Sequence, residues 1–267
     1  MSRIRIGVQV QPQQGDYREM RRAWEKVEEL GADTLFTWDH FFPLYGDADG
    51  AHFECWSLLA AMAEATERIH FGALVTCNSY RNPNLLADMA RTVDQISGGR
   101  LILGLGSGWF ERDYAEYGYE FGTPITRLQA FREALPVIDT RLGLLNPPPV
   151  RGKIPILIGG GGEKVMLRLV AQWADTWHGF GAPEVIAHKC RVLDEHCAAI
   201  GRDPDEIERS TLQGVNIATE PAARVVARFG ELSDAGAQHV IFDLKNVHDP
   251  ANLEAVGRDV IPQLHRL

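Results

Sequence analysis

The sequence predicts an α/β protein built as a closed (β/α)8 TIM barrel, and three observations carry that expectation. Eight short apolar runs read as strands: IRIGVQV, TLFTW, IHFGALV, LILGLG, PILIGG, TWHGF, TLQGVNI and HVIFDL. Stretches with helical period separate them, and a chain that returns to a sheet through a helix lays its next strand parallel to the last. The eighth run ends near the C-terminus, so the units close a barrel that takes residues 1–267 as a single domain. A doubly wound open sheet is the competing arrangement. A chain of 267 residues that is 45% hydrophobic has the apolar material for such a core.

Each element has a local reason. After IRIGVQV, Asp16 is placed to cap a helix in which Tyr17, Met20, Trp24, Val27 and Leu30 recur at spacings of three or four, with Gly31 to close it. TLFTW is β-branched and aromatic, as suits a buried strand, and it runs directly into Asp39-His40-Phe41-Phe42-Pro43. Asn82 before Pro83 marks a helix start, because proline suits the first helical position, and Ser97-Gly98-Gly99 marks its end. The patch Asn146–Arg151 (NPPPVR) reads as a stiff connector into the fifth strand. That strand ends in Gly159-Gly160-Gly161-Gly162-Glu163, from which the helix EKVMLRLVAQW is expected to start. Pro183, Pro221 and Asn252 are expected to open the later helices.

Composition narrows the function. No run of about 18 apolar residues appears, and MSRIRIGVQVQPQQ enters a strand pattern at once, so a soluble, cytoplasmic protein without a membrane partner is expected. A net charge of −9 argues against a nucleic-acid surface, which needs clustered Lys and Arg. Cys55, Cys77, Cys190 and Cys197 lie far apart with no CxxC pair, which suggests neither a disulfide framework nor a metal site.

In a barrel the strand C-termini form the active face. No HxH follows the first strand, disfavouring a metal-dependent amidohydrolase, and Lys245 is the only lysine close behind a strand. Asp39 and Asp243 leave a glycosidase-like hydrolase open. The glycine run fits a cradle of backbone N–H groups around a phosphate, and it equally fits a tight turn with close strand-to-helix packing. LGLGSGW is a GxGxG sequence, not the dinucleotide fingerprint GxGxxG.

The stretches IGVQVQPQ, WDHFF, GALVTCNSYRNPNLLADMARTVDQISGGRLILGLGSGWFERDYAEYG and ILIGGGGEKVMLRLVAQWADTW together resemble the luciferase-like monooxygenase superfamily. The likeness covers nearly the whole chain and points to the branch of coenzyme F420-dependent oxidoreductases. It implies a barrel whose strand ends hold the deazaflavin, with FMN as the alternative, and hydride transfer to or from a small-molecule substrate. It implies that Asp39 and His40 lie beside the ring, His40 as proton donor or acceptor and Asp39 nearer the polar edge. Neighbours in a regular strand point to opposite faces, so this requires the strand to have broken before them. An unperturbed imidazole, titrating near about 6.5, suits the role.

By the same resemblance Thr76, Gly106 and Ser107 match cofactor-lining positions, and Gly160, Gly161, Gly162 and Glu163 match the phosphate end. Trp109 and His178 fall on the substrate side, with simple packing as the other reading of His178. Arg81, Arg112, Arg151 and Lys164 are either partners for an anionic cofactor tail or solvated surface. A bulge with a non-prolyl cis peptide, aligned through GALVT, falls at Ala73–Leu74 and sets both residues behind the ring. The segment LGLLNPPPVRGKIPILIG is shorter than its counterpart in relatives, and barrels of this family often pair as homodimers. The rival readings are an FMN-dependent monooxygenase, a barrel that binds cofactor without turnover, and the hydrolase.

Overall fold

The computed structural model describes residues 3–267. Among them nine strand segments make the eight staves of a closed parallel barrel: β1 (Arg5–Gln9), β2 (Thr34–Thr37), β3 (His70–Ala73), β4 (Thr76–Cys77), β5 (Leu101–Gly106), β6 (Ile156–Gly159), β7 (Thr176–Gly179), β8 (Glu208–Val215) and β9 (His239–Leu244). β1 pairs with both β2 and β9, and β5 pairs with β3, β4 and β6, so the ring has no free edge. That closure removes the doubly wound alternative. β3 and β4 are halves of one stave. Leu74 and Val75 bulge out between them, and the cis peptide joins Leu74 to Val75, one residue beyond the expected Ala73–Leu74 position.

Among the described residues ten helices ring the barrel: α1 (Tyr17–Glu29), α2 (Cys55–Ala65), α3 (Pro83–Ser97), α4 (Glu111–Tyr117), α5 (Pro124–Leu144), α6 (Met166–Trp173), α7 (Pro183–Ile200), α8 (Ala222–Asp234), α9 (Pro250–Asp259) and α10 (Ile261–Leu264). Asp16 caps α1 in a reciprocal box with Glu19, and Met20, Ala23, Trp24 and Val27 form its buried stripe. Asn82 caps α3 by accepting from the Asn84 N–H, and Gly98 ends it in the left-handed conformation.

Three boundaries differ from expectation. α6 starts at Met166, because Glu163–Val165 form a turn after the glycines. α9 starts at Pro250 and not Asn252, since Asp249 accepts from the Ala251 N–H and caps first. β8 starts at Glu208, ahead of TLQGVNI, because the charged Glu208 turns into the barrel and meets Arg5 at 2.9 Å. Among the described residues no helix is long and apolar enough to cross a membrane.

Side chains alternate along each strand, so the register sorts them into a barrel interior and a helix-facing layer. At the N-terminal end the interior is polar: Arg5 pairs with Glu208, and His239 Nε2 lies 2.7 Å from Thr34 Oγ1. Above that plug Phe36, Ile102, Leu157 and Ile241 form an apolar floor, joined by Leu74 and Val75 from the bulge. The functional cavity sits on this floor.

Candidate active site

A cavity of about 240 Å³ opens at the C-terminal ends of the staves. Its walls come from Asp39 and His40 after β2, the Leu74–Val75 bulge, Gly106–Trp109 after β5, Gly159 and Gly160 after β6, and His178 and Phe180 from β7. Glycine is required where backbones crowd here. A methyl group on Gly104 would run into the Ala73 carbonyl oxygen, and one on Gly108, at φ +80°, into the Tyr114 hydroxyl and Cys77 Sγ. The bulge therefore packs against a face stripped of side chains.

His40 is held from behind. β2 stops at Thr37, which frees Asp39 and His40 from strand alternation. The His40 Nδ1 lies 2.7 Å from Oδ2 of Asp113, a fully buried carboxylate on the short helix α4. Asp113 also accepts from the Phe41 backbone N–H at 3.0 Å and from the Tyr80 hydroxyl at 2.8 Å. Burial, reinforced by Cys77 and Asp113, pushes the Tyr80 hydroxyl far above its ordinary range, so it stays a donor. A carboxylate served by three donors makes His40 Nδ1 the protonated nitrogen. His40 Nε2, with no hydrogen bond among the described residues, is then the atom that can exchange a proton with the cavity. Trp109 and Phe110 meet the imidazole edge-on at 5.6 and 5.4 Å between centroids.

Asp39 is committed differently. Its Oδ2 accepts from Arg81 Nη1 at 2.6 Å and from the Cys77 N–H at 3.0 Å, and its Oδ1 accepts from Arg81 Nη2 at 3.0 Å. Arg81 continues to Glu54 at 2.7 Å. Burial pushes the Asp39 carboxyl up, with Arg81 opposing; burial would lower Arg81, but Asp39 outweighs it and holds the guanidinium pKa up. Arg81 is therefore neither solvated surface nor free for a cofactor tail. With both Asp39 oxygens taken, the pair Asp39 and Asp243 does not present two free carboxyls, and the hydrolase loses its motivation.

His178 points from β7 into the barrel with its Nδ1 2.9 Å from Ser210 Oγ. Its Nε2 is buried and has no partner among the described residues. Burial, then the neighbouring His239, lowers its pKa to about 3.

At the glycine run, Gly160 takes φ +139° and donates its N–H to the His178 carbonyl. Gly161 and Gly162 are exposed, and the N–H groups of Gly161, Gly162 and Glu163 make no hydrogen bond among the described residues. The Glu163 carboxylate accepts from Lys189 at 2.5 Å and lies 3.1 Å from His188 Nε2, so towards an anion Glu163 can offer only its backbone N–H.

Of the residues singled out from sequence, Asp39, His40, Leu74, Gly106, Ser107, Trp109, Gly160 and His178 share the cavity wall. Ala73, Thr76, Gly161, Gly162 and Glu163 do not. Ala73 belongs to the core under the helices, and Thr76 pairs with Leu105 of that same core, so both face outward. The bulge falls one residue later than expected, so beside Leu74 it is Val75 and Cys77, not Ala73 and Thr76, that face the cavity. Phe41 and Phe42 also lie off the cavity wall: Phe41 stacks on Tyr117 at 3.9 Å, and Phe42 lies under Arg112. Asp113 and Tyr80 escaped the sequence reading. Asp113 lies inside ERDYAEYG, where nothing local separates it from Glu111 or Glu116.

Comparison with known proteins follows the same lines. The chain is 29% identical over 246 residues to the phthiodiolone/phenolphthiodiolone dimycocerosates ketoreductase of Mycobacterium tuberculosis, covering 80% of this chain and 61% of that relative's length. An F420-dependent secondary alcohol dehydrogenase, solved with an F420-acetone adduct, superposes with a TM-score of 0.87 at 17% identity, covering 98% of this chain and 99% of that one. EDTA monooxygenase from Chelativorans sp. BNC1 gives 0.83 at 14% identity, covering 99% and 94%. These two likenesses show a shared fold. The family model for luciferase-like monooxygenases matches residues 1–261, and the chain belongs to that family.

Proposed function

We propose that the protein is a coenzyme F420-dependent oxidoreductase acting on a small organic substrate, with His40 handling the proton that accompanies hydride transfer. The observation that carries this reading is the His40–Asp113 pair, which presents a bare imidazole nitrogen to a cavity whose floor is the Leu74–Val75 bulge. A bound deazaflavin supplies a ring carbon that accepts or returns a hydride. The residues present fit such a group. The bulge and the side-chain-free edges of Gly106 and Gly159 offer a flat apolar seat, and the N–H groups of Gly161 and Gly162 await an anionic acceptor at its rim. His40 gives or takes a proton at Nε2 while Asp113 steadies the imidazolium form. Trp109 and Phe110 pack edge-on against the imidazole. Interconversion of an alcohol and a carbonyl is the reaction class we favour, since the similar secondary alcohol dehydrogenase and ketoreductase are named for it.

An FMN-dependent monooxygenase is the second reading, supported by the likeness to EDTA monooxygenase. Anaerobic titration of the purified protein with coenzyme F420 and with FMN, followed by absorbance and fluorescence, decides between them. Tighter binding of F420 is expected; FMN binding at least about tenfold more tightly would overturn the assignment.

We also propose that two copies pair. Between α2 and α3 runs a groove of about 530 Å³ in which the exposed Leu85 and Ile96 lie beside Ala60 and Met89, bordered by the charged Glu54, Asp88 and Arg91. A second copy laying the same face over it covers this apolar strip, and light scattering at micromolar concentration reads the mass; a monomer refutes the pairing.

A further inference from the structure

Two imidazoles line the cavity, and they are held by different groups. His40 is backed by a carboxylate, whereas His178 is backed by the Ser210 hydroxyl, 2.9 Å from Nδ1. Ser210 Oγ also lies 3.1 Å from the Trp177 carbonyl oxygen, to which it can only donate. A hydroxyl has one proton. Having given it to Trp177, Ser210 must accept from His178, so the proton of His178 resides on Nδ1 and Nε2 carries a bare lone pair.

That lone pair has nothing to bond to among the described residues, although His178 is only 1% exposed. Buried acceptors without donors are uncommon in folded proteins and call for an explanation. Burial and the Ser210 contact hold the ring in this orientation, with Phe180 edge-on to it at 4.9 Å and 88°. The charged or titratable neighbour that bears on the ring is His239, and together with burial it keeps the imidazole neutral, with a pKa lowered to about 3.

We infer that His178 is a fixed neutral acceptor that selects ligands presenting an O–H or N–H donor to the cavity. It cannot donate from Nε2, so a carbonyl, carboxylate or phosphate oxygen placed there gains nothing. This rests on the alcohol–carbonyl reading above, and it says that the site holds the alcohol of such a pair more tightly than the carbonyl.

The test begins with the full chain labelled with ¹⁵N-histidine, as purified with any cofactor it carries. Long-range ¹H–¹⁵N correlation spectra should show His178 with a protonated Nδ1 and a bare Nε2, unchanged between pH 5 and pH 8. Cyclohexanol and cyclohexanone are then titrated as probes. Cyclohexanol should bind at least about threefold more tightly and shift the Nε2 resonance, and His178→Phe should abolish the preference. Ser210→Ala, which frees the tautomer, should weaken it and serves if the phenylalanine variant does not fold. A proton on Nε2, titration of His178 within that pH range, or equal binding of ketone and alcohol overturns the inference. If the nuclear resonance results hold while F420 fails to bind, only the cofactor assignment falls.

Discussion

Arg81→Met tests the ion pair that anchors the strand end carrying His40. Asp39 has a side chain with no exposed surface, and Arg81 holds both its oxygens at 2.6 and 3.0 Å. Charge centres roughly 4 Å apart attract by about 4 kcal/mol at an effective dielectric constant near 20. Removing one partner from a buried pair leaves the other uncompensated and costs about 3–5 kcal/mol. For a 267-residue chain, unfolding entropy of about 2.1 cal/mol/K per residue amounts to roughly 0.56 kcal/mol/K, so the melting temperature should fall by about 5–9 °C. The pH dependence has a definite sign. With the guanidinium gone, burial and the nearby Glu54 charge, opposed only by the Cys77 N–H, hold the folded pKa of Asp39 above the unfolded value, so the variant is least stable at high pH and recovers as Asp39 protonates. The Asp39→Asn/Arg81→Met double variant, which leaves only the partly exposed Glu54 carboxylate without its Arg81 partner, should recover most of the loss. Equilibrium urea unfolding at pH 8 and pH 5 measures all of this. A loss below about 1 kcal/mol, or an undiminished loss in the double variant, would refute the claim that an orphaned carboxylate causes the damage.

Other perturbations probe separate parts of the molecule. His40→Ala should leave F420 binding within about tenfold and slow turnover by roughly 10²–10⁴-fold, while Asp113→Asn should slow it by roughly 10–100-fold; single-turnover absorbance traces that match wild type would remove the pair from the reaction. Glu208 is pushed up by burial, but His239 and Arg5 outweigh this and hold its pKa at about 2. Its contribution, about 3 kcal/mol, is present above the unfolded value near about 4.3 and is lost as pH falls towards 2. The stability gap between wild type and Glu208→Gln should therefore close over that acid range, and a gap independent of pH would count against the pairing. Gly104→Ala forces the bulged stave away from β5, so it should lower the melting temperature more than any exposed glycine-to-alanine change, such as Gly143→Ala, where the added methyl meets open space. Equal melting temperatures for the two variants would show that the close approach at Ala73 is dispensable.

What the sequence determined by itself was local. Apolar runs alternating with helical periods set the order of staves and helices, and Asp16 and Asn82 marked helix starts because a cap acts within one turn. His40 could be placed at a strand end, and Gly106 and Gly160 at turns, for the same reason: each signal lies within a few residues of its effect. The tertiary structure decided which side chains meet. Asp113 reaches His40 across 73 positions, and Arg81 reaches Asp39 across 42, with no local pattern to announce either pairing. Register was the other decision. A bulge one residue later than expected turns Ala73 and Thr76 towards the helices and brings Val75 and Cys77 to the cavity beside Leu74. The strand's side-chain period is two, so a shift of one exchanges inside for outside, and only the packing of Val75 against Gly104, Gly106 and Gly159 selects between the two settings.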